Sequence, residues 1–168
     1  MRTRWSGTAG ATLILVASLT AGVSARAQEQ KPARSDSERV MRLTPAELTW
    51  IAGPPMLPPG ASMAVIEGTF SRPGPFTVRL KFPANYRIPP HWHPVKVTVT
   101  VISGTFNMGL GDELDTGKGT MLPAGSIFEM PATIHHFGWT SEETVIQEHG
   151  VGPLSVNYLK PGHDGRRQ

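Results

Sequence analysis

Apolar and polar residues alternate along several short stretches of the chain, the pattern of strands that bury one face. Within residues 76–82 every second residue is apolar, and the residues between are Thr, Arg and Lys. Within residues 95–102 valines alternate with Lys or Thr as far as Val101. Further strands are predicted at residues 63–66, 105–110, 127–130 and 144–149, with an edge strand at 155–159.

Turn-forming residues separate these stretches. The 18 glycines and 16 prolines lie between the apolar runs and do not form one low-complexity block. In Thr44-Pro45-Ala46-Glu47, a capping Thr is followed by Pro and an acidic residue at the positions that begin a helix, which predicts one short helical turn. About eight to ten short strands separated by turns predict an all-β jelly roll or small barrel.

The first residues have the features of an export signal. Arg2 and Arg4 give a positive start, residues 11–23 carry no charge, and Ala25-Arg26-Ala27 has the small-x-small pattern of a cleavage site. We expect cleavage after Ala27 and a periplasmic or secreted protein. The alternative, a membrane anchor, is disfavoured because an apolar run of about 13 residues is too short for a bilayer core of roughly 30 Å. The predicted organisation is a signal peptide (1–27), a flexible lead-in (28–42), one domain (43–160) and a flexible tail (161–168).

The charge balance argues against nucleic-acid partners. Three of the 16 basic residues and none of the 13 acidic residues lie in the predicted signal, so the mature chain has 13 of each. No basic patch remains for nucleic acid, and after cleavage no segment predicts a membrane partner. The chain has no cysteine, which excludes disulfides and thiolate metal ligands.

Two histidines flank Trp92 in the segment Pro90-His91-Trp92-His93-Pro94. Side chains two residues apart on an extended chain point to the same side. His91 and His93 can therefore bind one metal ion. The same parity continues through Val95 and Val97, so we expect the pair at the mouth of an apolar-lined strand, facing a buried pocket.

This segment resembles the first motif of the cupin family, in which a His-x-His pair is followed by a Glu and then a Gly. His91 and His93 match the pair, and Gly104 matches the final Gly. The position of the Glu is occupied by Val97.

A later segment resembles the second cupin motif. Gly125, Pro131 and His136 match its Gly, Pro and His, and Thr133 stands where the family has a second Gly. The resemblance covers about residues 43–160 and implies a single-domain jelly-roll β-barrel. It also implies a homodimer and a divalent metal held by His91, His93 and His136.

Three neutral imidazoles suit Fe(II), Mn, Ni, Cu or Zn. Without a carboxylate at Val97, such an ion keeps its full formal charge, binds less tightly and is a stronger Lewis acid. Glu129 and Glu148 are the two residues that could restore a carboxylate, although each is more simply a solvated charge on an outer face. The alternative is that the histidines are packed in a barrel that has lost its metal.

Three further polar residues have a predicted place near this site. His135 is expected at its rim, with an exchange of roles with His136 as the alternative. On the last long strand, Gln147 and His149 share the parity of Val145, which would point them inward as a substrate anchor and a proton shuttle. The alternative for both is a polar side chain satisfied near the strand end.

Three functions follow from these observations. The first is a metal-dependent dioxygenase, or a related oxidoreductase or isomerase, that acts on a small chelating substrate. The second is a non-catalytic cupin that binds a small molecule or a metal, for which Val97 is the supporting feature. The third is a structural barrel that holds no metal.

Overall fold

The computed structural model describes residues 40–162. The predictions for the signal peptide, for residues 28–39 and for residues 163–168 lie outside the described residues. Within the described part, two antiparallel sheets contain eleven strands. The strands are β1 (Ile51–Ala52), β2 (Ser62–Gly68), β3 (Gly74–Phe82), β4 (Arg87–Trp92), β5 (Val97–Ser103), β6 (Thr105–Leu110), β7 (Thr120–Pro123), β8 (Ile127–Met130), β9 (His136–Thr140), β10 (Thr144–Gly152) and β11 (Asn157–Tyr158).

Neighbouring strands in each sheet are mostly not consecutive along the chain. The first sheet has the order β1-β2-β3-β10-β5-β8, and the second has the order β11-β4-β9-β6-β7. Two antiparallel sheets with strands that alternate between them form a jelly roll. The predicted all-β jelly-roll fold is therefore confirmed.

The core lies between the inner faces of the two sheets. On β3, the apolar residues of the alternating pattern are buried, from Phe76 (1% exposed) to Phe82 (0% exposed). On β5, Val97, Val99 and Val101 are buried in the same way, whereas the threonines between them are partly exposed. The alternation in the sequence thus marks the faces that pack against the opposite sheet.

Short helical turns complete the described part of the chain. A 3-10 helix at Pro45–Glu47 follows Thr44, whose backbone N–H donates to Glu47 Oε2 at 2.7 Å, so the predicted turn and its cap are present. A second lies at Thr116–Lys118. No helix within residues 40–162 is long and apolar enough to cross a membrane.

One predicted strand is wrong at its start. The histidine pair and the valines do not share a strand, because β4 ends at Trp92 in the second sheet and β5 begins at Val97 in the first. Between them the chain crosses from one sheet to the other, and Pro94, which has no N–H to donate to a ladder, lies in this crossing. By contrast, the strands predicted at residues 105–110 and 127–130 coincide with β6 and β8.

The turn from β5 to β6 requires glycine at position 104. Gly104 has φ +71°, and a Cβ there would lie 2.4 Å from the carbonyl oxygen of Glu143. Gly104→Ala should therefore lower the free energy of unfolding by about 2–3 kcal/mol, measured by urea denaturation. Gly117→Ala is the matched control, since a Cβ there would meet only the Asp115 side chain. Equal stability of the two variants would contradict this account of the turn.

Candidate metal centre

Three histidines from different parts of the chain meet between the sheets. His91 on β4 is the direct cross-strand partner of His136, the first residue of β9, and His93 lies just after β4. All three are buried, at 5%, 7% and 6% exposure respectively. One ring nitrogen from each lies within 4.8 Å of the other two, so the group could hold a metal ion.

Hydrogen bonds fix the orientation of each ring. The Nδ1 atom of His91 contacts the carbonyl oxygen of Pro89 at 2.7 Å, that of His93 contacts Ser155 at 2.9 Å, and that of His136 contacts Ile134 at 2.9 Å. A carbonyl oxygen only accepts, so each Nδ1 carries the proton and donates it. Each Nε2 is then left with a free lone pair, which is the form in which histidine binds a metal.

Burial keeps the cluster uncharged. It lowers the pKa of His91 well below its usual value, with further contributions from His136 and His93. Burial also lowers the pKa of His93, and it lowers that of His136 to about 4. At neutral pH the imidazoles are therefore unprotonated, and a metal ion does not have to displace protons from them.

A backbone hydrogen bond connects the loop before β9, which belongs to the second motif, to the first motif. The backbone N–H of Thr133 donates to the carbonyl oxygen of His93 at 2.8 Å. Thr133 has φ +65°, a left-handed conformation that is unusual for a β-branched residue and more natural for the Gly that the motif has at this position. The loop keeps this conformation while fixing His93 relative to His136.

The cluster lines one side of a cavity of about 50 Å³ between the sheets. This volume has room for a few water molecules or a small ligand group. The walls are mostly apolar, and include Val97, Phe106, Phe128 and Met130. Among the described residues, the cavity lining contains four ionisable side chains, those of His91, His93, His136 and Glu148.

Glu148 is the functional candidate that the sequence pattern misplaced. It was expected as a solvated outer-face charge, but it lines the cavity from β10 together with Ile146. Burial raises the pKa of Glu148 to about 7. Two consecutive apolar residues, Val145 and Ile146, left the parity of β10 ambiguous, and the buried one is Ile146 (2% exposed).

Because side chains alternate along β10, Gln147 and His149 lie on the face opposite to Ile146 and Glu148. The prediction that they point inward with Val145 is wrong, because inward positions on β10 are taken by Ile146 and Glu148. Gln147 Oε1 instead accepts a hydrogen bond from Nε of Arg79 on β3 at 3.1 Å. His149 is exposed and lies in a surface depression away from the three histidines.

The other polar candidates lie outside the cavity. His135 is half-exposed, and its Nδ1 lies 2.7 Å from Oδ1 of Asp112, so His136 is the member of the pair in the cluster. Glu129 is exposed and forms an ion pair with Lys96 at 2.9 Å. Glu129 therefore does not restore a carboxylate to the cavity.

The pKa of Glu148 predicts a pH-dependent stability. Between the usual glutamate pKa of 4.5 and the raised pKa of about 7, the folded protein binds more protons than the unfolded chain, so stability falls as pH rises through this window. Glu148→Gln should be nearly neutral at pH 4.5 and should raise the free energy of unfolding of the metal-free protein by about 3 kcal/mol at pH 8. Urea denaturation at both pH values measures the difference.

Glu129→Gln is the control for this measurement, because the exposed Glu129 carboxylate pairs with Lys96, whose hydrogen bond and charge lower the pKa of Glu129. It should produce no gain at pH 8. If Glu148→Gln also produced none, the Glu148 carboxyl would not be desolvated in the folded protein.

Comparisons with known proteins give structural matches. No family model and no curated protein sequence matches the chain. The polyketide cyclase RemF from Streptomyces resistomycificus is similar in structure, with 15% identity, a TM-score of 0.57, and coverage of 75% of this chain and 91% of RemF. An RmlC-like cupin from Ralstonia eutropha JMP134 has 20% identity and a TM-score of 0.55, over 71% of this chain and 73% of that one.

A second RmlC-like cupin, from Shewanella frigidimarina NCIMB 400, has 14% identity and a TM-score of 0.51, over 65% of this chain and 87% of that one. At these identities the likeness concerns the fold. The chain therefore shares the jelly-roll fold of these proteins.

Proposed function

We propose that this protein binds one divalent transition metal through Nε2 of His91, His93 and His136, and that the metal binds a small chelating ligand in the cavity. The observation that carries the proposal is the set of three Nδ1–H donors held by backbone carbonyls. With those protons held by carbonyls, each histidine keeps one unprotonated nitrogen, and one ring nitrogen from each lies within 4.8 Å of the others. This donor set fits Fe(II), Mn, Ni, Cu or Zn.

When bound, the metal would supply Lewis-acid chemistry, polarising an oxygen or sulfur atom of the ligand. The protein would hold the ligand and limit the access of water, which is the role of the apolar walls formed by Val97, Phe128 and Met130. The small cavity favours a compact ligand group, and the family resemblance implies a chelating enolate, thiol or acid. Dioxygenase, related oxidoreductase or isomerase chemistry is the reaction class that we propose.

A non-catalytic binding function is the second candidate. Its supporting observation is Val97, which is 1% exposed, lines the cavity, and provides no anionic ligand there. In either case we propose that the protein is exported, supported by the sequence of residues 1–27, and that it binds a small molecule or a metal. The homodimer implied by the family resemblance stays a prediction.

Metal content tests the site directly. The protein, purified without chelator or affinity tag and reconstituted anaerobically with Fe(II), Mn(II), Ni(II) or Zn(II), should hold about one equivalent of metal by elemental analysis. The double variant His91→Ala/His136→Ala should hold almost none, because one imidazole cannot replace three ligands. His135→Ala is the control and should retain the metal, since His135 lies outside the cluster. Absence of metal from the unmodified protein under all four conditions would refute the proposal.

Oxygen consumption separates the two candidate functions. The Fe(II)-loaded protein should consume oxygen with at least one small chelating enolate, thiol or acid, and the double variant should not. Ligand binding without turnover or isomerisation across such a panel would favour the non-catalytic function.

A further inference from the structure

Glu148 occupies a position where an unpaired carboxylate is energetically unfavourable. Its cross-strand partners are Val78 on β3 and Val99 on β5, which are 2% and 4% exposed. The preceding inward residue, Ile146, is also buried. A carboxyl group on this wall is therefore flanked by apolar side chains and faces the cavity.

Several other acidic side chains among the described residues have partners. Glu129 pairs with Lys96, Asp112 with His135, and Asp115 with Lys118. Within residues 40–162, no residue forms a hydrogen bond or an ion pair with the carboxylate of Glu148. Buried polar groups are normally satisfied, and one that is not, in a cavity, is typical of a functional site whose partner is a ligand.

A divalent ion bound to the three histidines needs a negative counter-charge, which Glu148 can provide. The imidazoles are neutral, so a divalent ion bound to them would bring a charge of +2 into an apolar cavity, and an uncompensated charge there is costly. Glu148 is the one acidic side chain among the described residues that line the cavity. A metal-loaded histidine cluster would thus need a nearby anion, and an ionised Glu148 carboxylate would need a nearby cation.

We propose that Glu148 is the counter-charge of the three-histidine site and the group that accepts a proton from the chelating ligand. This inference rests on the proposed metal function. The Glu148 oxygens are not in the described group of ligand atoms that lie within 4.8 Å of one another, so Glu148 acts from the cavity wall on the first sheet and not as a fourth member of the cluster. On ligand binding, an O–H or S–H bond of the ligand breaks, its electron pair stays on the oxygen or sulfur, and the proton forms an O–H bond with Glu148.

Metal binding and ionisation of Glu148 should then be coupled. A cation in the cavity favours the carboxylate form, so binding near pH 6.5 should release the proton that Glu148 holds in the metal-free protein. The other titratable groups facing Glu148 are His91, His93 and His136, and burial lowers the pKa of each, so they hold few protons at this pH. Val78 and Val99, its neighbours on the adjacent strands, do not titrate.

Isothermal titration of the metal-free protein with Co(II) at pH 6.5 tests the proposal. Titrations in two buffers of different ionisation enthalpy give both the affinity and the number of protons released. The unmodified protein should bind one equivalent and release somewhat under one proton. Glu148→Gln should bind Co(II) about tenfold or more weakly, the size of effect typical of groups that support a metal site from outside its ligands, and should release almost no proton.

Two further variants complete the design. Glu148→Asp keeps the charge on a shorter side chain and should recover part of both the affinity and the proton release. Glu129→Gln removes an exposed, paired carboxylate and should behave like the unmodified protein. Circular dichroism of each metal-free variant verifies that it is folded, and Glu148→Asp provides the comparison if Glu148→Gln is not.

The outcomes separate this inference from the proposed function. If the unmodified protein binds neither Co(II) nor any of the metals used for reconstitution, both are refuted. If it binds Co(II) but Glu148→Gln binds with the same affinity and the same proton release, the metal site stands and the role of Glu148 is refuted. Equal losses in Glu148→Gln and Glu148→Asp would also refute the role as counter-charge, because keeping the negative charge would then recover neither affinity nor proton release.

Discussion

The site depends on three hydrogen bonds that hold the Nδ1 protons of the histidines away from one another. Each acceptor is a backbone carbonyl, and the three carbonyls belong to separate segments, those of Pro89, Ile134 and Ser155. His93 and Ser155 are 62 residues apart in the chain, so this ring is oriented only when the segment before β11 has packed against the end of β4. Orientation of the cluster is therefore a consequence of the completed fold.

The two-sheet architecture determines which groups face each other. Two of the histidines lie on strands of the second sheet, Glu148 lies on a strand of the first, and all of them line the same mostly apolar cavity. Electrostatic interactions across such a gap are stronger than in water, because few polar groups screen them. The packing that stabilises the jelly roll thus also sets the strength of any interaction between a bound cation and the Glu148 carboxylate.

Much of the fold follows from the sequence because its strands alternate clearly. On β3 and β5 the apolar positions read from the sequence are the buried ones. The alternation does not show which sheet a strand joins, so the passage between sheets after Trp92 was not predicted. That passage depends on pairing between residues distant in the chain, such as His91 with His136.

The site was predicted less completely for a related reason. The two histidines of one short segment can be recognised from their spacing and the third from its resemblance to a family motif, and the structure brings these three together. No spacing or motif in the sequence marks Glu148 as part of the site. Val145 and Ile146 are both apolar, so the inward face of β10 is decided only by its register, in which Ile146 lies opposite Leu80 on β3.

Val97 and Glu148 are best understood together. In the register of β5 and β10, Val97 pairs with Gly150 and Glu148 pairs with Val99, so the two side chains are diagonal neighbours on one inward face. A Val at position 97 removes a carboxylate from one strand, and a Glu at position 148 supplies one from the adjacent strand. A cavity that receives a divalent cation needs compensating charge, and electrostatics does not require this charge to come from a particular strand. A carboxylate that is not itself among the converging ligand atoms also stays available to hold a proton, which a carboxylate bound to the metal does not.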